Sequence, residues 1–295
     1  MSELNHEQSS STLQEKQFLD GTLRINYAET LAAGPPFVFL HGLARNWQDF
    51  LPLIPGLSDR HHIYALDLRG HGKSHRVAGG YTTAGYTSDI VNFLERTVGR
   101  PAVLFGHSLG GMIAMRIASQ HPALVRALIL GDTMLARETF SSSMYFSFFQ
   151  TLHSLLLARV SVGDLARRLA LAKIRVPGLD HPIAIGDLPG YNHASLLKWA
   201  SCLNQVDPGA LAMALDGSAY ADYDADTWMR RIFCPTLLLQ ANPELGALMS
   251  ESDVTGAMKI LKRPTLKQFP LLGHALHQQG PASILQAVTS YLDSF

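Results

Sequence analysis

Cysteine is nearly absent: Cys202 and Cys234 are the only two in 295 residues, far apart and without C-x-x-C spacing. That excludes a disulfide framework and a zinc ribbon, and two isolated thiols suit a reducing compartment. An excess of charge is also missing, since 24 basic residues balance 24 acidic ones. No global field then favours nucleic acid, an anionic membrane or an acidic substrate, and a small neutral or amphiphilic partner fits better. Long apolar runs are lacking too. The most lipophilic window, Tyr145 to Leu157, is interrupted by Gln150 and His153 and is too short to span a bilayer, so it reads as a helix of the fold. The segment Met1 to Gln17 is polar and lacks the basic and apolar blocks of a secretory signal, which makes cytoplasm the expected location. There is no internal repeat and no low-complexity tract.

What is present begins with 47% apolar residues, enough for a large α/β core. The most informative stretch is Gly106-His107-Ser108-Leu109-Gly110-Gly111. Upstream, Ala102 to Phe105 reads as a buried strand; downstream, Ile113, Ala114, Ile117 and Ala118 recur at helical spacing. Ser108 therefore occupies a tight strand-to-helix turn, the sequence form of a nucleophile elbow. Gly106 and Gly110 supply the small residues that such a turn requires on either side of the serine.

Along the chain, residues 1–16 read as a flexible leader, followed by two strands around the Asp20-Gly21 turn. Strand and helix signals then alternate. Buried strands are expected at Phe37 to Leu40, His62 to Leu66, Ala102 to Phe105 and Ala127 to Leu130, with helices at Trp47 to Leu57 and Tyr86 to Val98. Short apolar runs separated by helices imply parallel strands covered on both faces. His41, Asp67, Ser108 and Asp132 each fall at a strand's carboxyl end, where ligands bind in such sheets. The rhythm breaks from Thr133 to Trp228, a helical insertion, and resumes at Pro235 to Leu239, Thr265 to Phe269 and a last helix from Pro281. This divides the chain into a catalytic domain (17–132 and 229–295) and an insertion (133–228).

A serine nucleophile needs a base, and His274, after the last strand and before the last helix, is the histidine in the right place. Other readings are weaker. Lys73-Ser74 lacks the leading glycine of a phosphate-binding loop, and His61, His62, His71 and His75 lack metal-ligand spacing. No cofactor and no metal are expected.

His41-Gly42 with Trp47 downstream, Leu66 to Ser74 (LDLRGHGKS), the elbow and Gly273-His274 stand in an order that resembles the α/β-hydrolase superfamily over roughly residues 18–295. The resemblance implies a mostly parallel eight-stranded sheet with helices on both faces and a helical cap. It also implies acyl transfer by Ser108, proton shuttling by His274 and an oxyanion held by the amides of Leu43 and Leu109. The acid stays open. Glu244, in Gln240-Ala241-Asn242-Pro243-Glu244, stands in the register where relatives carry an aspartate; Asp132, after the strand that follows the elbow helix, is its rival, with Asp253 a further candidate. Insertions at this point cap the site in the family, so Met134, Met144, Phe148, Phe149 and Trp199, with Trp228, are candidates to line an apolar substrate pocket. The function expected is hydrolysis of a carboxylic ester or lactone. A cofactor-free oxygenase or C–C hydrolase using the histidine–acid pair as base, and a ligand-binding receptor, are the alternatives.

Overall fold

The computed structural model describes residues 13–31, 34–136, 144–174, 180–187 and 192–295, with the side chains of Met144 and Tyr145 outside that description. Strands β1 (Gln14–Asp20) and β2 (Leu23–Glu29) form an antiparallel hairpin whose turn uses Gly21 at φ 59°. The strand begins at Gln14, inside the segment read as a leader; residues 1–12 lie outside the described residues. The start was invisible because β1 is an edge strand held by polar groups. Glu15 accepts from Asn26 and Trp47 side chains, and Lys16 pairs with Glu29 at 2.8 Å.

Six further strands complete the main sheet: β3 (Pro36–Leu40), β4 (His62–Leu66), β5 (Ala102–His107), β6 (Val125–Gly131), β9 (Thr236–Ala241) and β10 (Pro264–Phe269). The order is β1-β2-β4-β3-β5-β6-β9-β10, parallel from β4 onward. Alternate residues of each apolar run serve opposite cores. Val38, Leu40, Leu104, Leu128 and Leu238 pack on one face; Phe37, Phe39, Phe105, Ile129 and Leu239 pack on the other. The first face is covered by α2 (Thr83–Phe93), α3 (Leu109–Gln120) and α9 (Glu251–Ile260), the second by α1 (Ile54–Ser58) and α11 (Pro281–Leu292). The expected single helix from Trp47 to Leu57 is a 3₁₀ turn at Trp47–Phe50 followed by the short α1. Pro52 and Pro55 cannot donate the amide hydrogen bonds that a continuous helix needs.

Between β6 and β9 run α4 (Met144–Leu157), α5 (Val162–Leu171), α6 (His193–Leu203), α7 (Pro208–Leu215) and α8 (Ala225–Arg230). A two-residue-per-strand hairpin, β7 (Lys173–Ile174) and β8 (Ile183–Ala184), also lies there and carries no period that sequence could reveal. The apolar faces of α4 to α8 join the same core as α3. In α8, Trp228 packs against Tyr223 and under Arg116 of α3, so it belongs to that core.

The sheet reverses direction of growth at β3, with β4 on one side and β5 on the other. Crossovers leave in opposite directions there and open a crevice beyond the strand ends. At this crevice α3 starts against the end of β3. A Cβ on Gly110 would lie 2.0 Å from the Leu40 carbonyl oxygen, and one on Gly106 would lie 2.3 Å from that of Gly110. The elbow glycines are thus required by backbone packing on backbone. Gly110→Ala is expected to lower unfolding stability by about 2 kcal/mol or more. Gly256→Ala, in α9 where a Cβ meets nothing within 4 Å, should raise it by about 0.5–1 kcal/mol. Urea denaturation of both variants checks this, and a neutral Gly110→Ala would contradict the packing account.

Candidate active site

Ser108 sits between β5 and α3 at φ 52° and ψ −118°, a conformation rare for a residue with a side chain. Neighbours hold it there. Its N–H donates to Gly131 O at 3.1 Å, and its carbonyl accepts from Gly111 N (2.9 Å) and Thr133 Oγ1 (2.6 Å). Ser108 and His274 line the same small cavity. His274 arrives from the loop after β10, and its Nδ1 lies 2.6 Å from Asp132 Oδ2. Asp132, fully buried at the end of β6, also accepts the amides of Leu248 and Met249. In the tautomer whose Nδ1–H donates to this carboxylate, Nε2 is the ring nitrogen left to accept a proton.

Of the acid candidates, the structure brings Asp132 to His274 and leaves the others elsewhere. Glu244 is exposed on the turn Pro243–Leu245, its amide bound to Asn242 Oδ1, while Asn242 Nδ2 donates to Pro270 O. That turn serves to tie the loops after β9 and β10 together. Asp253 caps α9 in a reciprocal box with Ser250.

Leu43 and Leu109 line the Ser108 cavity. The Leu109 amide opens α3 and has no intrahelical acceptor, and among the described residues the Leu43 N–H has no acceptor either. The loop bearing Leu43 is pinned by two buried histidines. His41 Nε2 accepts from Leu68 N at 3.0 Å, so its Nδ1–H donates to Gly42 O at 2.8 Å. His71 Nε2 accepts from Ala44 N at 3.2 Å, and its Nδ1–H donates to Arg69 O at 2.9 Å. Burial, helped by the neighbouring His71, pushes the His41 pKa down to about 3; burial alone takes His71 down to about 4. Asp67 completes the brace by accepting from Trp47 N (2.8 Å), Lys73 N (3.0 Å) and Asn26 Nδ2 (2.8 Å).

A second histidine–carboxylate pair lies behind the first. His277 Nε2 is 2.7 Å from Asp49 Oδ2, both groups buried. Burial pushes the Asp49 carboxyl up, but His277 and Arg45 together outweigh it and hold the group far below its ordinary range. Between the pairs stands His107, its ring 4.6 Å from that of His274 and 4.5 Å from that of His277. Its Nε2–H donates to the His274 carbonyl at 2.9 Å, and burial, with His277 and His274 adding to it, keeps it neutral. Asp49, His107 and His277 have metal-like proximity, their ligand atoms within 4.8 Å. Tetrahedral ligands at 2.0–2.1 Å from an ion stand about 3.3 Å apart, so the 2.7 Å Asp49–His277 contact is a hydrogen bond. In the sequence His107 stands only as a part of the elbow motif, and nothing local marks His277, whose partner Asp49 lies 228 residues away.

Two adjoining cavities of about 20 and about 30 Å³ meet at Ser108 and His274. Met134 and Phe149 line the first, with Met112, Tyr220 and Leu248, which sequence reading did not single out. Phe148, Phe149 and Trp199 line the second, and Phe148 stacks on Trp199 at 5.7 Å. The Met144 side chain lies outside the described residues, and Trp228 is committed to Tyr223 and Arg116.

An elbow serine and a histidine–aspartate pair stand together beyond the strand ends of this sheet. The family model for the alpha/beta hydrolase fold matches residues 35–242, and the chain belongs to that family. It is 37% identical over 281 residues to the 2-(acetamidomethylene)succinate hydrolase of Mesorhizobium japonicum, covering 93% of each chain. It is 32% identical over 265 residues to the sn-1-specific diacylglycerol lipase ABHD11 of Danio rerio, covering 87% of this chain and 78% of that protein. The crystal structure of an E-2-(acetamidomethylene)succinate hydrolase matches with a TM-score of 0.75 at 22% identity, over 96% of this chain and 100% of that one. Among the described residues no helix is long and apolar enough to cross a membrane.

The buried histidines give the fold a pH signature. The unfolded chain protonates His41 and His71 below about 6.5, whereas the fold keeps both neutral to about 3 and about 4. Their contribution is therefore complete above pH 6.5 and is lost as pH falls toward 4. Urea unfolding from pH 6.5 to 4.5 should show stability falling, and His71→Gln should flatten that slope by about 1 kcal/mol per pH unit. An unchanged slope would mean that His71 is not held neutral.

Proposed function

We propose that the chain is a serine hydrolase that cleaves the acyl C–O or C–N bond of a small-molecule ester, lactone or amide through an acyl-enzyme on Ser108. The observation that carries this reading is the 2.6 Å link from buried Asp132 to His274 in the cavity that also holds Ser108. His274 Nε2 takes the Ser108 proton as Oγ attacks the acyl carbon, then delivers it to the departing oxygen or nitrogen. The amides of Leu43 and Leu109 receive the negative charge that develops on the carbonyl oxygen, where fixed donors are worth the most. Water repeats the sequence in reverse to release the acid. Asp132 orients the imidazole and stabilises its charged form.

A water molecule needs roughly 10–15 Å³ of such cavity space, so the cavities beside Ser108, at about 20 and about 30 Å³, admit a small apolar acyl group such as acetyl. Longer acyl chains require α4 and α6 to move, a motion available to helices acting as a cap over residues 133–228. The relatives support both bond types: one is named for a substrate bearing an acetamido group, the other for a diacylglycerol. Amide cleavage widens the expectation from ester or lactone alone. A reducing compartment, with cytoplasm the simplest, is supported by the unpaired Cys202 and Cys234.

Ser108→Ala is expected to remove turnover of acetyl esters and labelling by an organophosphonate. Asp132→Asn should lower kcat about 10³–10⁴-fold, and Glu244→Gln should stay within about twofold of the wild type. Steady-state kinetics on aryl acetates reads all three, and Asp132→Asn at wild-type rate beside a crippled Glu244→Gln would reverse the assignment of the acid.

A further inference from the structure

Beyond the Ser108 cavities lies a much larger cleft of about 810 Å³, reached past Arg45 and Trp199, which line both spaces. Its wall also includes Ala275, the residue after His274. In acyl transfer His274 hands its proton to the departing atom, so the leaving group lies on the histidine's side. Ala275 sets the wall of this cleft beside the loop that carries the histidine.

The two ends of the site differ in chemistry. Met112, Met134, Phe149 and Leu248 surround the acyl end, whereas the cleft presents Arg45 and Lys198 with the amides of Asn46, Gln48, Gln205 and Gln278. Among the described lining residues Asp49 is the one carboxylate, and it is held by His277 at 2.7 Å. Arg45 stands at the junction. Its guanidinium lies over the Trp199 ring at 5.4 Å, with Asp49 Oδ1 4.0 Å away on the helical turn below. An arginine fixed in this way, half-buried beside an indole, loses little freedom on binding and offers several donors in one plane to a carboxylate.

We propose that this cleft is the leaving-group subsite and that it selects an alcohol or amine carrying a carboxylate, with Arg45 as the principal recognition group and Lys198 as a second cation. The proposal rests on the acyl-transfer reading for its place in the reaction. The balance of that step is simple. The Ser108 Oγ–acyl bond forms, the acyl–O or acyl–N bond breaks, the serine proton passes through His274 to the leaving atom, and the carboxylate remains ionised throughout.

Binding is tested apart from turnover. In the Ser108→Ala protein, calorimetry should give 4-hydroxybenzoate about tenfold tighter binding than 4-hydroxybenzamide, weakening as salt rises. That preference should disappear in Ser108→Ala/Arg45→Met and return in part in Ser108→Ala/Arg45→Lys. Equal binding of the two probes, or a preference unaffected by Arg45→Met, overturns the subsite. The kinetic arm uses 4-acetoxybenzoate and its carboxamide with otherwise wild-type protein. Turnover of both at similar kcat/KM refutes the subsite while the hydrolase reading stands. Selective binding without turnover of either supports the subsite and refutes that reading.

Discussion

The contact on which the site depends is between backbones: the start of α3 against the end of β3, with Gly110 beneath the Leu40 carbonyl and Gly106 beneath Gly110. With three segments of main chain this close, the turn between β5 and α3 has room for one residue in a left-handed conformation, and Ser108 takes it at φ 52°. Strain of this kind persists only where its surroundings over-determine it. Here Gly131 O holds the serine amide and Thr133 Oγ1 holds its carbonyl. The same approach that strains the serine brings the loop after β3 to its side, so Leu43 and Leu109 border one cavity with Ser108.

From the elbow outward, each member of the proposed triad follows a strand at the same end of the sheet. Asp132 follows β6, which pairs with β5, and its own amide is bound to Leu239 O of β9. His274 follows β10 and is gripped twice, by Asp132 at Nδ1 and by His107 at its carbonyl oxygen. Three residues on, His277 is anchored to Asp49 below the sheet's other face. The loop that carries His274 is therefore fixed at both ends by histidine–carboxylate pairs, with neutral His107 packed between them. In the proposed role of base, an imidazole held this way has little orientational freedom to lose as the transition state forms.

The main sheet was legible because its central strands are buried on both faces, which leaves short apolar runs separated by helical periods, and because the Asp20-Gly21 turn marks the first hairpin. The elbow and the histidine after the last strand were legible for a related reason: both are punctuated by glycine. The acid was not. Glu244 and Asp132 both follow strands that run toward the site, and the choice between them depends on how the loops after β9 and β10 close on each other through Asn242 and Pro270. That closure turns Glu244 outward, and no local pattern encodes it. The same holds for β1, whose polar edge has no apolar alternation, and for the broken helix after Trp47, where prolines overruled a plausible apolar face. The thirteen histidines looked like noise. Several are buried hydrogen-bonding struts, His41 and His71 among them, a use that composition does not distinguish from surface histidines.

A balanced composition of 24 basic and 24 acidic residues led to the expectation of a neutral or amphiphilic partner, and the amphiphilic half of it fits the site best. Net charge governs the far field, which salt screens within about 8 Å; a ligand in a cleft responds to the few charges that line it. In the cavity where Met112, Met134, Phe149 and Leu248 surround Ser108, those neighbours are mostly apolar. Past Arg45 they are, among the described residues, two cations and several amides with one carboxylate that is already engaged with His277. A neutral protein can thus hold a polar gradient across one bond. On the proposed reading the acyl carbon would sit where apolar surroundings give way to cationic ones, so negative charge leaving with the alcohol or amine would move toward the cations and away from the apolar wall. Leaving-group selection and the departure step then draw on the same local field.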